Sequence, residues 1–235
     1  MTGICIWLTF TSVSEPFYVE LCRDWNDAYE NMQYGKVDRR ETGKLLRLIT
    51  KQLKNMIPAP EDTSVYFPIE GYDITAVGGG GTGYIERSYN FSHGNAHRGH
   101  PAHDIFIHDA DQNMLDDRTG KPAYVLSMTG GIVVAVKTNW TDADTLRGGN
   151  YVVIFDPMRN RYTYYAHNNT VLVQVGQIVP GGYRIATVGR SGRNASPARS
   201  ATHVHVMVIQ LTDDRGRPIN YYDELKTARI SGMIN

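Results

Sequence analysis

The stretch GNAHRGHPAHDIFIHD, residues 94–109, holds four of the chain's eight histidines and two aspartates. A metal site, an acid–base site and a histidine-rich surface loop are the three alternatives for such a stretch, since imidazole and carboxylate groups bind zinc and transfer protons near neutral pH. His100 and Asp104 are four residues apart, and an apolar run begins directly after Asp104. We therefore expect Asp104 at the mouth of a strand and His100 on the preceding loop, where both side chains reach one ion.

Three further histidines occur far along the chain. His203 and His205 are two residues apart in the apolar segment THVHVMV, and His167 ends the tyrosine-rich segment YTYYAH. Residues two apart in a strand point to the same face, and two histidines on such a face are costly to bury unless they are hydrogen-bonded or ligating. A catalytic zinc takes three protein ligands and leaves the fourth position to water. One His–Asp pair and one further histidine supply that number, and two histidines are left to handle the water and the developing oxyanion.

The rest of the sequence predicts the elements that must position these residues. Residues 17–57 show helical spacing with a break at YGKVD, PAPED at 58–62 resembles a linker, and short β-rich segments separated by turns follow from about residue 64. We predict a mainly antiparallel β fold preceded by an N-terminal helical segment, with a division into residues 1–60 and 61–235.

Composition excludes some classes of function and leaves the N terminus open. The 24 basic and 24 acidic residues cancel, which argues against general nucleic-acid binding, and no apolar run is long enough for a transmembrane segment. The start MTGICIWLTFTSVSEP has no basic residue before its apolar core, so it is either the remnant of an export signal or a strand. Cys5 and Cys22 either pair in an oxidising compartment or are two unrelated thiols.

The order of these motifs resembles the lysostaphin- and LytM-like zinc metallopeptidases, the peptidoglycan endopeptidase family. Members carry His-x-x-x-Asp, a strand-end Tyr-x-His and a final His-x-His, and here these are HPAHD, YAH and HVH. GYDITAVGGG, PAYVLSMTGGIVVAV and GQIVPGGYRIATVGRSG are also similar to family segments, and the resemblance covers about residues 64–212. It implies a β-sheet metallopeptidase domain with an open groove, in which His100, Asp104 and His205 bind Zn²⁺ and His167 and His203 are the catalytic pair.

The same resemblance implies the reaction and the location. We expect hydrolysis of peptide cross-links in peptidoglycan by a water bound to the metal, in the periplasm or cell envelope, with the cell-wall peptide as the partner. Serine and cysteine nucleophiles have no recognisable motif here. GGGG at 78–81 and the tyrosines near His167 are expected to wall a shallow groove that suits a glycine- or alanine-rich peptide.

Some residues depart from the family pattern. Ala102 replaces a usual glycine, and the segment 190–201 before the last motif is longer and lacks the usual Gly-Pro. His93, His97, His103 and His108 have no family role, and we expect exposed or supporting positions for them. Residues 109–120 begin like a calcium loop but have Met114 and Gly120 where glycine and glutamate are needed, so a solvated insertion is the better interpretation.

Two other functions compete with the cell-wall endopeptidase. One is a catalytically inactive binding or activator module, which typically lacks one or more of these five residues, and the other is a zinc peptidase that acts on proteins. The N-terminal helices either pack simply on the β domain, which we favour, or cover the cleft, or mediate dimers.

Overall fold

The computed structural model describes residues 15–213 and 215–232. Helix α1 (Phe17–Gln33) and helix α2 (Arg39–Met56) come first and are separated at the predicted break. Asp38 is the N-cap of α2, and its side chain accepts hydrogen bonds from the backbone N–H groups of Arg40 and Glu41. The N-terminal helical segment predicted from the sequence is therefore confirmed, while the start of the chain and Cys5 lie outside the described residues.

The remainder of the chain is an antiparallel β fold, as predicted. The strands and the last helix are β1 (Ala102–Phe106), β2 (Tyr124–Leu126), β3 (Gly131–Lys137), β4 (Tyr151–Asp156), β5 (Arg161–Ala166), β6 (Ile178–Val179), β7 (Arg184–Thr187), β8 (His203–Gln210), β9 (Arg217–Ile219) and α3 (Tyr222–Lys226). The main sheet has seven strands in the order β1-β8-β5-β4-β3-β6, with β9 paired to β8, and strands β2 and β7 form a second, two-stranded sheet. All of these strand pairs are antiparallel.

The two faces of the main sheet bury separate apolar clusters. Side chains alternate along each strand, so Met207 of β8 and Tyr162 of β5 lie on the face that packs against α1 and α2, whereas Val206 and Tyr165 lie on the other face. Trp25 of α1 is 1% exposed and its ring stacks 5.1 Å from that of Tyr162. The domain boundary at residue 60 stays a prediction, and the helices and the sheet share one core across it.

Two local predictions need correction. Strand β1 begins at Ala102, so Asp104 is its third residue and does not lie at the strand's mouth. TVLVQVGQIV forms only the two-residue strand β6 and an isolated bridge at Val171, because most of this segment connects β5 to β7 as turns. No helix in the described part of the chain is both long and apolar enough to cross a membrane.

Candidate metal centre

Strand register brings the motifs together. His205 of β8 is paired with Asp104 of β1 on one side and with Ala166 of β5 on the other. Directly paired residues share a face, so the Asp104 carboxylate and the His205 imidazole project from the same surface, and His203 projects there too because it lies two residues away. His167 follows Ala166 directly, which places it beside the same residues.

The three predicted metal ligands form a compact group. Asp104 Oδ1 lies 3.2 Å from His100 Nε2 and 2.9 Å from His205 Nδ1. One nitrogen or oxygen atom from each of His100, Asp104 and His205 lies within 4.8 Å of the other two. His100 reaches the group from the loop before β1, and its other ring nitrogen lies 3.0 Å from the Gly83 carbonyl oxygen.

These residues fit a zinc ion by chemistry and by distance. Zinc bonds of about 2.0–2.1 Å in a tetrahedron separate ligand atoms by about 3.3 Å, close to the separations between Asp104 and the two imidazoles. The contact between His100 Nδ1 and a backbone carbonyl is the support that metal-binding histidines usually have, because it directs the other nitrogen toward the ion. His100, Asp104 and His205 are all partly buried, so solvent has access to the group.

Charge in this group favours an ionised carboxylate. Burial alone would raise the pKa of Asp104, but hydrogen bonds with His100 and His205 outweigh it and hold that pKa well below its usual range. The hydrogen bond to Asp104 raises the pKa of His100 against the opposing effect of burial. A divalent cation would meet a carboxylate that is already ionised, and would compete with a proton for the His100 imidazole.

The His203 ring is buried beside this group. Its Nδ1–H donates to the Ala201 carbonyl oxygen at 2.7 Å, because a carbonyl can only accept. The other nitrogen, Nε2, lies 3.7 Å from Asp104 Oδ1. Burial lowers the pKa of His203, although the charge of Asp104 opposes that effect. The ring is therefore held neutral near pH 7, with an unprotonated Nε2 close to the predicted ligands.

His167 has the same arrangement on the neighbouring strand end. Its Nδ1–H donates to the Ser191 carbonyl oxygen at 2.8 Å, and its ring centroid lies 4.9 Å from that of His203. Burial, followed by the charges of His203 and His205, lowers the pKa of His167 well below its usual value. Its backbone has φ 67°, a left-handed conformation uncommon for a residue other than glycine. Two neutral histidines with free Nε2 atoms thus stand beside the three predicted ligands.

The remaining histidines occupy other positions. His103 is buried on the opposite face of β1 and lies 3.0 Å from the Asn220 side chain, so it does point away from Asp104. His108 is exposed, whereas His93 and His97 are partly buried. His97 is near the metal centre, and burial lowers its pKa to about 4.

Sequence reasoning missed the backbone carbonyls that orient these rings. Gly83, Ser191 and Ala201 each provide a carbonyl oxygen to one imidazole. A backbone carbonyl carries no residue signature, so no sequence pattern points to it. Ser191 and Ala201 belong to the longer segment 190–201. This segment therefore orients the His167 and His203 rings through two of its carbonyl groups.

A cavity of about 70 Å³ lies next to His100, His167 and His205. Tyr164 lines it, in keeping with the predicted tyrosine wall, whereas the predicted glycine wall is absent from its lining among the described residues. Tyr29 of α1 also lines the cavity, so the packing of the N-terminal helices on the sheet extends to this site.

A second group of carboxylates lies in the segment 109–120. Oxygens of Asp109, Asp111 and Asp117 come close together. Asp109 accepts hydrogen bonds from the backbone N–H groups of Asn113 and Met114. Protein donors thus occupy its oxygens, in line with the prediction of a solvated insertion over a calcium loop.

Comparison with known proteins agrees with the motifs. The model of Peptidase family M23 matches residues 114–221. Among solved structures, the chain is similar to the antimicrobial peptidase lysostaphin from Staphylococcus simulans, at 20% identity over 55% of this chain and 44% of that chain, with a TM-score of 0.39. It is similar to a putative glycyl-glycine endopeptidase LytM from Ruminococcus gnavus, at 19% identity over 93% and 90% of the two chains, with a TM-score of 0.47. A zinc-containing peptidase from Vibrio cholerae matches at 22% identity over 72% and 41%, with a TM-score of 0.44.

The family match points to the class of protein, a peptidase. The model of peptidase family M23 matches a segment of the β domain, in agreement with the resemblance seen in the sequence motifs. The family match includes His167, His203 and His205 and begins after His100 and Asp104. This chain spans less than half of the full lysostaphin chain that it matches.

Proposed function

We propose that the chain is a zinc-dependent endopeptidase that hydrolyses peptide cross-links of peptidoglycan. The observation that carries the proposal is the convergence of His100, Asp104 and His205 beside two neutral histidines that are not needed as ligands. Export to the periplasm or cell envelope is the location that fits this substrate. The family match supports a peptidase, and the cell-wall substrate is our extension of it.

His100 Nε2, Asp104 Oδ1 and His205 Nδ1 would hold the zinc ion. When bound, zinc supplies a Lewis acid that polarises the scissile carbonyl and lowers the pKa of a water molecule. The three residues are partly buried, which would leave a path from solvent for the substrate and the water.

His203 and His167 would transfer the proton and orient the water. Each ring has its Nδ1–H committed to a backbone carbonyl, so its Nε2 is the atom available to the substrate. One Nε2 can take the proton of the attacking water and then donate that proton to the leaving amine, while the other Nε2 can accept a hydrogen bond that orients the water. The lowered pKa values of both rings keep them neutral, which is the form required of a base.

The decisive experiment is a digestion of isolated peptidoglycan by the purified full chain. Zinc content is measured by atomic spectrometry, and the products are identified by mass spectrometry. We expect new amine and carboxyl termini in the cell-wall peptide, loss of activity with a chelator, and recovery with added zinc. His205→Ala serves as the metal-deficient control.

The same experiment separates the competing functions. Sedimentation with peptidoglycan without any product would indicate the inactive binding module. Faster cleavage of casein than of cell-wall peptides would indicate a protein-directed zinc peptidase. Loss of activity in parallel with labelling by a serine- or cysteine-directed reagent would contradict the metal mechanism itself.

A further inference from the structure

The cavity beside the metal centre has one charged wall residue. Of the described residues that line it, Arg147 is the only lysine, arginine, aspartate or glutamate. The other lining groups are mainly histidine, asparagine and tyrosine side chains with apolar residues and glycines. Tyr29, Tyr89 and Tyr164 are among them. The cavity thus presents one cation and several polar side chains, and no carboxylate lines it among the described residues.

Arg147 is held in place without an ion-pair partner. One nitrogen of its guanidinium group donates to the His97 carbonyl oxygen at 2.7 Å, and its backbone N–H donates to the Asn95 side chain at 2.8 Å. No carboxylate of the described residues lies within 4.0 Å of it. Burial lowers the pKa of Arg147, which shows that its charge is partly desolvated. A half-buried guanidinium group without a counterion is costly, and a carboxylate that binds it in a bidentate manner offsets that cost.

The position of Arg147 connects it to the reacting groups. The backbone N–H of His167 donates to the carbonyl oxygen of Gly148, the residue after Arg147, at 2.8 Å. His100, His167 and His205 line the same cavity as Arg147. A group bound by Arg147 therefore lies beside the bond that His167 would act on.

One wall of the cavity is formed by α1 and the turn Phe91–Ala96. Tyr29 and Gln33 of α1 line the cavity together with Gly94 from the turn Phe91–Ala96. A Cβ added at Gly94 would lie 2.3 Å from the Met32 carbonyl oxygen, so α1 and this turn are in tight contact. The cavity of about 70 Å³ corresponds to roughly two waters at about 30 Å³ each, which is space for a carboxylate group.

From these contacts we propose that Arg147 anchors a subsite for a substrate carboxylate, next to the bond that is cut. The proposal rests on the proposed peptidase function and deepens it by naming a substrate class, peptides with a free carboxylate near the scissile bond. The carboxylate comes either from the end of the peptide chain or from an acidic side chain.

The test combines binding and turnover with a matched control variant. Arg147→Gln removes the cation, and Arg193→Gln removes an exposed arginine whose Nε donates to the Asp144 carbonyl oxygen and which does not line the cavity. Binding is measured by calorimetry on the chelator-treated full chain, so that no metal can bind the carboxylate. The probes are N-acetyl-D-alanyl-D-alanine, its C-terminal amide, and an amide with an internal D-glutamate.

We expect the unmodified chain and Arg193→Gln to bind the free acid at least about tenfold more tightly than its amide. Arg147→Gln should bind both with the same weak affinity. Tighter binding of the D-glutamate amide, lost in Arg147→Gln, would support the subsite with a side chain as the source. Equal affinity for all three probes in the unmodified chain, or a preference that survives in Arg147→Gln, would overturn the proposal.

Turnover distinguishes this proposal from the peptidase function. With zinc restored, the ratio of kcat/KM for free-acid and amide cell-wall peptides should fall by about tenfold in Arg147→Gln, mainly through KM. If no peptide is cut by any variant but the binding difference is present, the peptidase function fails and the carboxylate subsite stands. If peptides are cut with no acid preference, the subsite fails and the peptidase function stands.

Discussion

His203 and His205 lie two residues apart on one face of β8, and we predict opposite consequences for their replacement by alanine. His205 Nδ1 is one of the three atoms grouped within 4.8 Å, whereas His203 does not belong to that group. Removing one of three ligands should weaken zinc binding by more than about 100-fold, beyond the loss typical of supporting residues. His205→Ala should therefore be purified without stoichiometric zinc and without activity.

His203→Ala should retain one zinc per chain and lose turnover. Its Nε2 is the free nitrogen beside the ligands, because Nδ1–H is committed to the Ala201 carbonyl oxygen. Loss of a positioned acid–base group typically costs 10²–10⁴ in rate, which is about 2.7–5.5 kcal/mol of transition-state stabilisation. We expect kcat to fall by at least about 100-fold with KM nearly unchanged.

The assay is zinc stoichiometry by atomic spectrometry together with kcat and KM on a cell-wall peptide. Circular dichroism spectra and melting temperatures of both variants control for folding, since each removes a partly or fully buried ring. If His203→Ala loses zinc together with activity, the residue is a ligand and our division of roles is wrong. If His205→Ala holds one zinc with unchanged affinity, the ligand set is wrong.

Three further predictions concern stability. Burial lowers the pKa of His167 below its ordinary 6.5. In acid, the His167 imidazole therefore binds a proton in the unfolded chain but stays neutral in the folded chain. As the pH drops below 6.5, the free energy of unfolding of the zinc-free chain should therefore decrease. In urea titrations at several pH values, His167→Gln should reduce the slope of this free energy against pH by up to about 1.4 kcal/mol per pH unit. Gly149→Ala places a Cβ 2.3 Å from the Ser191 carbonyl carbon at a φ of 66°, and should lower the free energy of unfolding by more than about 2 kcal/mol. Gly120→Ala is the matched control, because Gly120 has a similar φ of 65° with open space around it, and it should lower that free energy by about 1 kcal/mol. Trp25→Ala should cost about 4 kcal/mol because the ring is buried and stacks on two tyrosines, and equal melting temperatures would refute the shared core.

The sequence alone determined the features that depend on local periodicity. The period of two in a strand placed His203 and His205 on one face, and helical spacing together with the YGKVD break predicted α1 and α2. These patterns are readable because neighbours along one element are fixed by backbone geometry. Residue chemistry and motif order were enough to predict a peptidase of this family, since the motifs keep their spacing within short segments.

Tertiary structure alone decided which distant residues meet and what surrounds them. Asp104 and His205 are 101 residues apart and come together through the β1–β8 register, which no local pattern specifies. The carbonyl of Ala201 orients a ring without any side-chain signature, and Arg147 lies in the cavity only because its loop packs beside the site. Such contacts depend on strand pairing and packing between segments far apart in the chain. The whole core stabilises them, so they cannot be predicted from any short segment of the sequence.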